Sequence, residues 1–287
     1  MSRSVELDRL VARRDPASGA VASLFRTAGR DELPAVVLVA LLGDLGTREA
    51  AARRLLSRMR DDGRLAARRD GRAVHLRLHG AFGASVQRVG DGLGARPPEW
   101  TGAFEVLLHA VPESERAYRD RLRRTAVLAG YGVLQPGVLI AATDRSADLA
   151  GVLDDVPPGA RVTRGSLAVD TAEAGRIAAE AWDLDRVAAV LAGHADRLAA
   201  MAEGDGAPPP AADAATLRRL VESTTPVFVD LLRAPALPAP LLPAHWPVAR
   251  LAGGLSRVLA RYVPPARAHV SARLAGHGTG VSPPGLR

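Results

Sequence analysis

The sequence predicts an α+β multidomain chain, and three observations carry that reading. Its 287 residues exceed one typical domain. Strand-like and helix-like runs alternate as far as residue 170, and beyond it only helical periodicity remains. Gly/Pro-rich stretches at 91–99, 204–213 and 235–247 interrupt the patterning as linkers and loops do. The expected parts are residues 1–90, 100–170 and 171–275, with a disordered tail at 276–287.

Composition narrows the function classes. With no cysteine, disulfides, thiol catalysis and zinc ribbons are excluded. No apolar run is long enough to span a bilayer, and the N-terminus, MSRSVELDRLVARRD, is charged where a signal peptide is hydrophobic. The expectation is a soluble cytoplasmic protein with no membrane partner. The formal charge is +7, and every basic residue is arginine. GC-rich coding explains the absence of lysine, so position rather than count must identify a site. Aromatics make up 3% of the chain, too few for stacking along single-stranded nucleic acid.

In chain order, residues 1–15 read as a short amphipathic helix or a mobile arm. Ala17 to Ala28, with Val21, Leu24 and Phe25, is a first helix. Leu33 to Leu42 is a second, with Pro34 tolerable in its first turn, and Gly43-Asp44-Leu45-Gly46 closes it. Thr47 to Leu78 then holds ten arginines (48, 53, 54, 58, 60, 64, 68, 69, 72 and 77) against four acids. Thr47 is the expected cap and Gly63 the expected stop of a helix whose Ala52, Leu55, Leu56 and Met59 share one face. Arg54 and Ser57 point the opposite way, flanked by Arg53 and Arg58. Leu65 to Arg68 and Ala73 to Leu78 flank Asp70-Gly71, a strong hairpin signal. Helix, turn, basic helix and basic hairpin make a winged helix-turn-helix, and His79 to Val89 returns from it as a short helix.

The second part alternates differently. Ala103 to Val111 is a buried strand, Pro112 to Ala129 a helix, and Tyr131 to Ala142 two strands around Gln135-Pro136-Gly137. A helix from Ser146 to Leu153 and a strand from Ala160 to Val169 complete the order of a ferredoxin-like sandwich. Helices are then expected at 172–180, 184–201, 216–233 and 248–262, forming a helical C-terminal domain. Trp182 and Trp246 read as core or interdomain anchors, and Asp183 and Asp185 as first-turn carboxylates favoured by the helix dipole.

Four places give the chain a family likeness: Leu56-Ser57-Arg58-Met59 before Asp62-Gly63; Arg69 to Arg72; Ala181-Trp182-Asp183-Leu184-Asp185; and Leu237-Pro238, Leu241-Leu242-Pro243 and Trp246-Pro247. With them the chain resembles the PaaX family of bacterial transcriptional repressors, over nearly its whole length. The resemblance implies repression of a catabolic operon by a homodimer on a palindromic double-stranded operator. It also implies release by an acyl- or aryl-CoA thioester such as phenylacetyl-CoA, with no other cofactor. Family members usually carry a tyrosine near the end of the hairpin, where this chain has Val74-His75-Leu76. Their aromatics after the Trp-Asp-Leu start are replaced by Val190-Leu191-Ala192.

In the DNA-binding reading Arg54, Ser57 and Arg53 face base edges, while Arg58, Arg68, Arg69 and Arg72 bind phosphates and Arg48 adds charge at the helix start. A protein of the same architecture acting through a protein partner, without effector binding, is the alternative. A ferredoxin-like metal-dependent nuclease is a remoter one. Small nucleases of that fold use an acid at the end of the first strand, where this chain offers Glu105, His109 and no aspartate. No catalytic or metal-binding residue is therefore expected.

Overall fold

The structure is a computed structural model that describes residues 16–71, 73–92, 98–202, 209–231 and 234–278. The chain divides into two compact units. One takes residues 16–83, 196–227 and those from 253 onward, and the other takes 84–195 and 228–252. Among the described residues no helix is long and apolar enough to cross a membrane. Residues 1–15, Arg72 and the chain beyond 278 lie outside the described residues.

The first unit opens with α1 (Pro16–Ala28), β1 (Glu32–Pro34), α2 (Ala35–Asp44) and α3 (Glu49–Asp61), followed by the hairpin β2 (Leu65–Asp70) and β3 (Ala73–Leu78). The strands form an antiparallel sheet in the order β1-β3-β2. Leu24, Leu38, Leu41, Met59 and Leu76 are fully buried around it.

Two expectations are corrected here. Leu33 and Pro34 do not begin a helix but pair with Leu76 and His75 at the sheet edge. An edge strand tolerates a proline, because no ladder bond is asked of its missing N–H. The hairpin turn is also one residue later than expected. Asp70 pairs with Ala73, so Gly71 at φ 56° occupies the turn, and the strand keeps Asp70.

After α4 (Gly80–Gly92), the middle part follows the expected order, β4 (Ala103–Ala110), α5 (Arg116–Leu128), β5 (Gly132–Gln135), β6 (Val138–Ala141), α6 (Ser146–Leu153) and β7 (Arg161–Ala168), with a 3₁₀ turn (Glu113–Glu115) leading into α5. The sheet runs β5-β6-β4-β7 with every neighbour antiparallel. Each face has its own core, since alternate side chains of a strand face opposite ways. On one face Leu107 and Leu139 meet Tyr118 and Leu122 of α5 and Leu149 of α6. On the other, Phe104 and Ile140 meet Ala178, Ala181 and Trp182 of α7 (Thr171–Trp182), together with Leu237 and Leu241. The Trp-Asp-Leu and Leu-Pro motifs, more than fifty residues apart in sequence, therefore build one core.

Trp182 is the anchor of that second core. Its indole N–H donates to the Gly130 carbonyl at 3.3 Å, and its ring lies so close to β5 that a Cβ on Gly132 would stand 2.7 Å from two ring carbons. Asp183 follows at φ 51°, alone among the described non-glycine residues in the left-handed region, and α8 (Leu184–Ala202) begins at once. Asp183 thus ends α7 instead of occupying the first turn of the next helix, a position held by Asp185.

Two helices remain, α9 (Ala214–Leu231) and α10 (Val248–Gly278). The expected end of α10 at Tyr262 fails because the helix passes through Pro264 and Pro265. Proline removes intrahelical donors, but Ala266 and Val270 beyond it are wholly buried. Tertiary packing therefore outweighs local propensity.

Candidate nucleic-acid interface

α3 owes its orientation to a one-sided sequence. Ala52, Leu55, Leu56 and Met59 are buried as the periodicity predicts, whereas Arg53, Arg54, Ser57, Arg58 and Arg60 are exposed. The helix is preceded by Arg48 as cap residue, not by the expected Thr47, and no side chain caps its start. Thr47 N–H is instead bound to the Leu42 carbonyl, which ties it to the end of α2.

Both helices close by the same device. Gly46 at φ 89° lets its own N–H and that of Thr47 reach the Gly43 and Leu42 carbonyls. Gly63 at φ 70° does the same for Arg60 and Met59, with Arg64 as the second donor. Each arrangement satisfies helix-end carbonyls that would otherwise be orphaned.

The exposed cations are not equivalent. Arg53 is clipped to Glu49 one turn back at 2.6 Å, a pair with both side chains about two-thirds exposed and so of little energetic weight. The side chains of Arg48, Arg54 and Ser57 make no hydrogen bond or ion pair among the described residues, so their polar groups face solvent. Arg58 is exposed on the same side of the helix.

In the hairpin, Arg69 is exposed and without an ion pair among the described residues. Arg68 forks onto Glu32 through Nε at 3.0 Å and Nη2 at 2.9 Å, and reaches Asp70 at 3.4 Å. Arg72 lies outside the described residues. Arg64, which sequence reading counted only as charge, donates to Ser18 Oγ at 2.9 Å and to Asp62 at 2.5 Å, fastening the foot of the hairpin to α1.

Glu32 was missed by sequence reading, because nothing local marks a three-residue strand or says that it will lie beside residue 68. The Arg68 hydrogen bonds hold its carboxyl below the usual carboxylate range. The folded pKa is thus lower than the unfolded one, so the bridge stabilises above the unfolded value and is lost as pH falls through the folded value. On acid titration, carbon-13 NMR of Glu32 is expected to give a depressed midpoint, and Arg68→Ala to return it upward toward an ordinary carboxylate.

In the middle part Glu105 and His109 both lie on β4. Both His109 ring nitrogens are buried without a hydrogen-bond partner among the described residues. Burial, with Arg123 and Arg119 nearby, pushes its pKa down, which favours the neutral ring. No group of three or more His, Asp or Glu side chains is assembled as a metal site would require among the described residues.

The fold and the exposed arginines describe an α+β protein with a cationic helix and hairpin in one unit and a four-stranded antiparallel sandwich in the other. Residues 97–173 match the family model of the PaaX protein central Cas2-like domain. No curated protein matches the chain. A solved structure, the uncharacterized protein Rv0674 from Mycobacterium tuberculosis, is similar at 23% identity over 96% of this chain and 99% of that one, with a TM-score of 0.47.

Proposed function

We propose that the protein is a DNA-binding transcriptional regulator whose α1 to β3 segment is a winged helix-turn-helix. The observation that carries this reading is α3 itself, packed on one side and presenting Arg48, Arg54, Ser57 and Arg58 to solvent on the other, with a basic hairpin following it. Helix and hairpin are suited to the major groove and the flanking phosphates, respectively. The protein acts by binding, in the cytoplasm, and not by catalysis. The family resemblance supports repression of a catabolic operon, with an acyl- or aryl-CoA thioester such as phenylacetyl-CoA as the releasing ligand.

A palindromic operator calls for a homodimer, and β7 supplies a suitable seam. Its outer edge makes no ladder bonds among the described residues. Gly165 sits in the middle of that edge with an ordinary φ, and a Cβ at this position would meet nothing within 4 Å, so its own chain gives no reason for a glycine. A two-fold axis through Gly165 sets Arg164 opposite Ser166 and Thr163 opposite Leu167, whereas an axis through Arg164 would oppose like charges. Gly165→Asp is expected to leave the monomer folded and shift sedimentation from dimer to monomer.

The deciding experiment is fluorescence anisotropy on DNA from upstream of the protein's own gene against scrambled DNA, across a salt series, with and without a panel of CoA thioesters. Preferential binding that weakens with salt and is relieved by one thioester is the expected result. Binding that ignores the panel would remove the effector. Absence of DNA binding even at low salt would overturn the reading and favour action through a protein partner.

A further inference from the structure

Asp44 stands where a carboxylate is least suited. It is the last residue of α2, where the helix carbonyls form a negative pole, and its side chain is only 10% exposed. What compensates comes from residues more than 170 positions away. Arg273 approaches Oδ1 through Nη2 at 2.5 Å and Oδ2 through Nε at 3.1 Å. His269 Nε2 lies 2.8 Å from Oδ2. Arg218 of α9 forks onto the Asp44 main-chain carbonyl at 2.7 and 3.1 Å. Both carboxylate oxygens and the carbonyl are thereby engaged by charged or polar side chains of the last two helices.

The position of this clasp matters more than its strength. Leu45, Gly46, Thr47 and Arg48 are all that separate Asp44 from the first residue of α3, and the turn through Gly46 has the left-handed backbone described above. With so short a connection, a displacement at Asp44 is passed to the start of α3 and to the arginines it carries.

α10 is also held independently of the clasp. Ala266 and Val270 are wholly buried, Arg267 donates to the Thr27 carbonyl at 3.0 Å, and Arg219 lies over the Tyr262 ring at 5.7 Å. Opening the clasp therefore does not require undocking the helix.

We propose that Asp44 is a positioning residue for the DNA-reading helix, and that Arg218, His269 and Arg273 make the last two helices the element that sets its orientation. The proposal rests on the DNA-binding reading above. A closed clasp fixes one presentation of Arg54 and Ser57, on which base readout depends. An opened clasp leaves phosphate contacts available but spreads the helix over several orientations, so discrimination suffers before general affinity does.

The test uses the full chain, an operator selected from a random DNA pool and a scrambled duplex. Asp44→Asn and Arg273→Gln are each expected to weaken operator binding on the order of tenfold, with scrambled-DNA binding and its salt slope unchanged at a temperature where both variants are fully folded. The double variant should be no worse than the weaker single one, Arg273→Lys should recover part of the loss, and the Gly46 and Thr47 amides should exchange faster in both single variants.

Unchanged operator binding in both variants would overturn the proposal while leaving the DNA-binding reading intact. Operator and scrambled binding falling together with Tm would also overturn it, by reducing Asp44 to a stability role. A wild-type protein that selects no DNA would overturn both.

Discussion

Trp182→Ala is expected to destabilise the Cas2-like sandwich by about 3–5 kcal/mol, the usual cost of emptying a buried tryptophan site. The indole fills the face of the sheet opposite α5 and α6, among Phe104, Ile140, Leu237 and Leu241, and its N–H answers the Gly130 carbonyl. Gly132→Ala attacks the same contact from the other side. The new methyl would meet Trp182 Cδ2 and Cε2 at 2.7 Å and the Ala181 methyl at 3.0 Å, distances at which backbone or ring must move. Overpacking of this kind costs about 1–3 kcal/mol.

The two changes should not add. Once the indole is gone, the methyl on residue 132 has room, so the double variant is expected to be less destabilised than the sum by about 1–3 kcal/mol. Amide exchange of β5 and β6 in the full chain reads this directly, because it isolates the sandwich from unfolding elsewhere. Simple additivity would mean that the close approach is not what excludes a side chain at Gly132.

Arg54→Ala and Arg69→Ala are expected to weaken DNA binding in different ways. Arg54 faces outward from the middle of α3, where a guanidinium can bond a guanine edge through two donors. Its loss should cost about 1–3 kcal/mol on the operator and relax preference at one base position. Arg69 is in the hairpin, and its loss should weaken operator and scrambled DNA alike while lowering the salt slope by about one. Equal losses on both DNAs for Arg54→Ala would assign it to phosphate contact. Anisotropy over a salt series distinguishes the two outcomes.

Local patterns made much of the fold legible in the sequence. The buried face of α3 followed from its periodicity, the ends of α2 and α3 from glycines that need positive φ, and the sandwich from its strand and helix order. What escaped was decided at long range. Pro34 belongs to a strand because residues 75–77 come to lie beside it, and α10 survives two prolines because residues further along are buried.

The candidate interface divides the same way. Exposure of Arg54 and Ser57 follows from one helix face, but no local signal shows that Arg68 is shared with Glu32 or that Arg64 is spent on fastening α1. Counting arginines therefore overstates the charge offered to an anionic partner.

The junction at Asp183 sets a limit on how this architecture can vary. One residue separates α7 from α8, so there is no slack to absorb a change in chain length. Each inserted residue would turn the register of the following helix by about 100°, carrying the apolar stripe of α8 off its packing partners. Length variation in an evolving lineage is thus expected to accumulate at the tip of the β2–β3 hairpin or between α6 and β7, where the chain can bulge outward. At position 183 the tolerated changes should be substitutions that ease a left-handed backbone, with glycine and asparagine foremost.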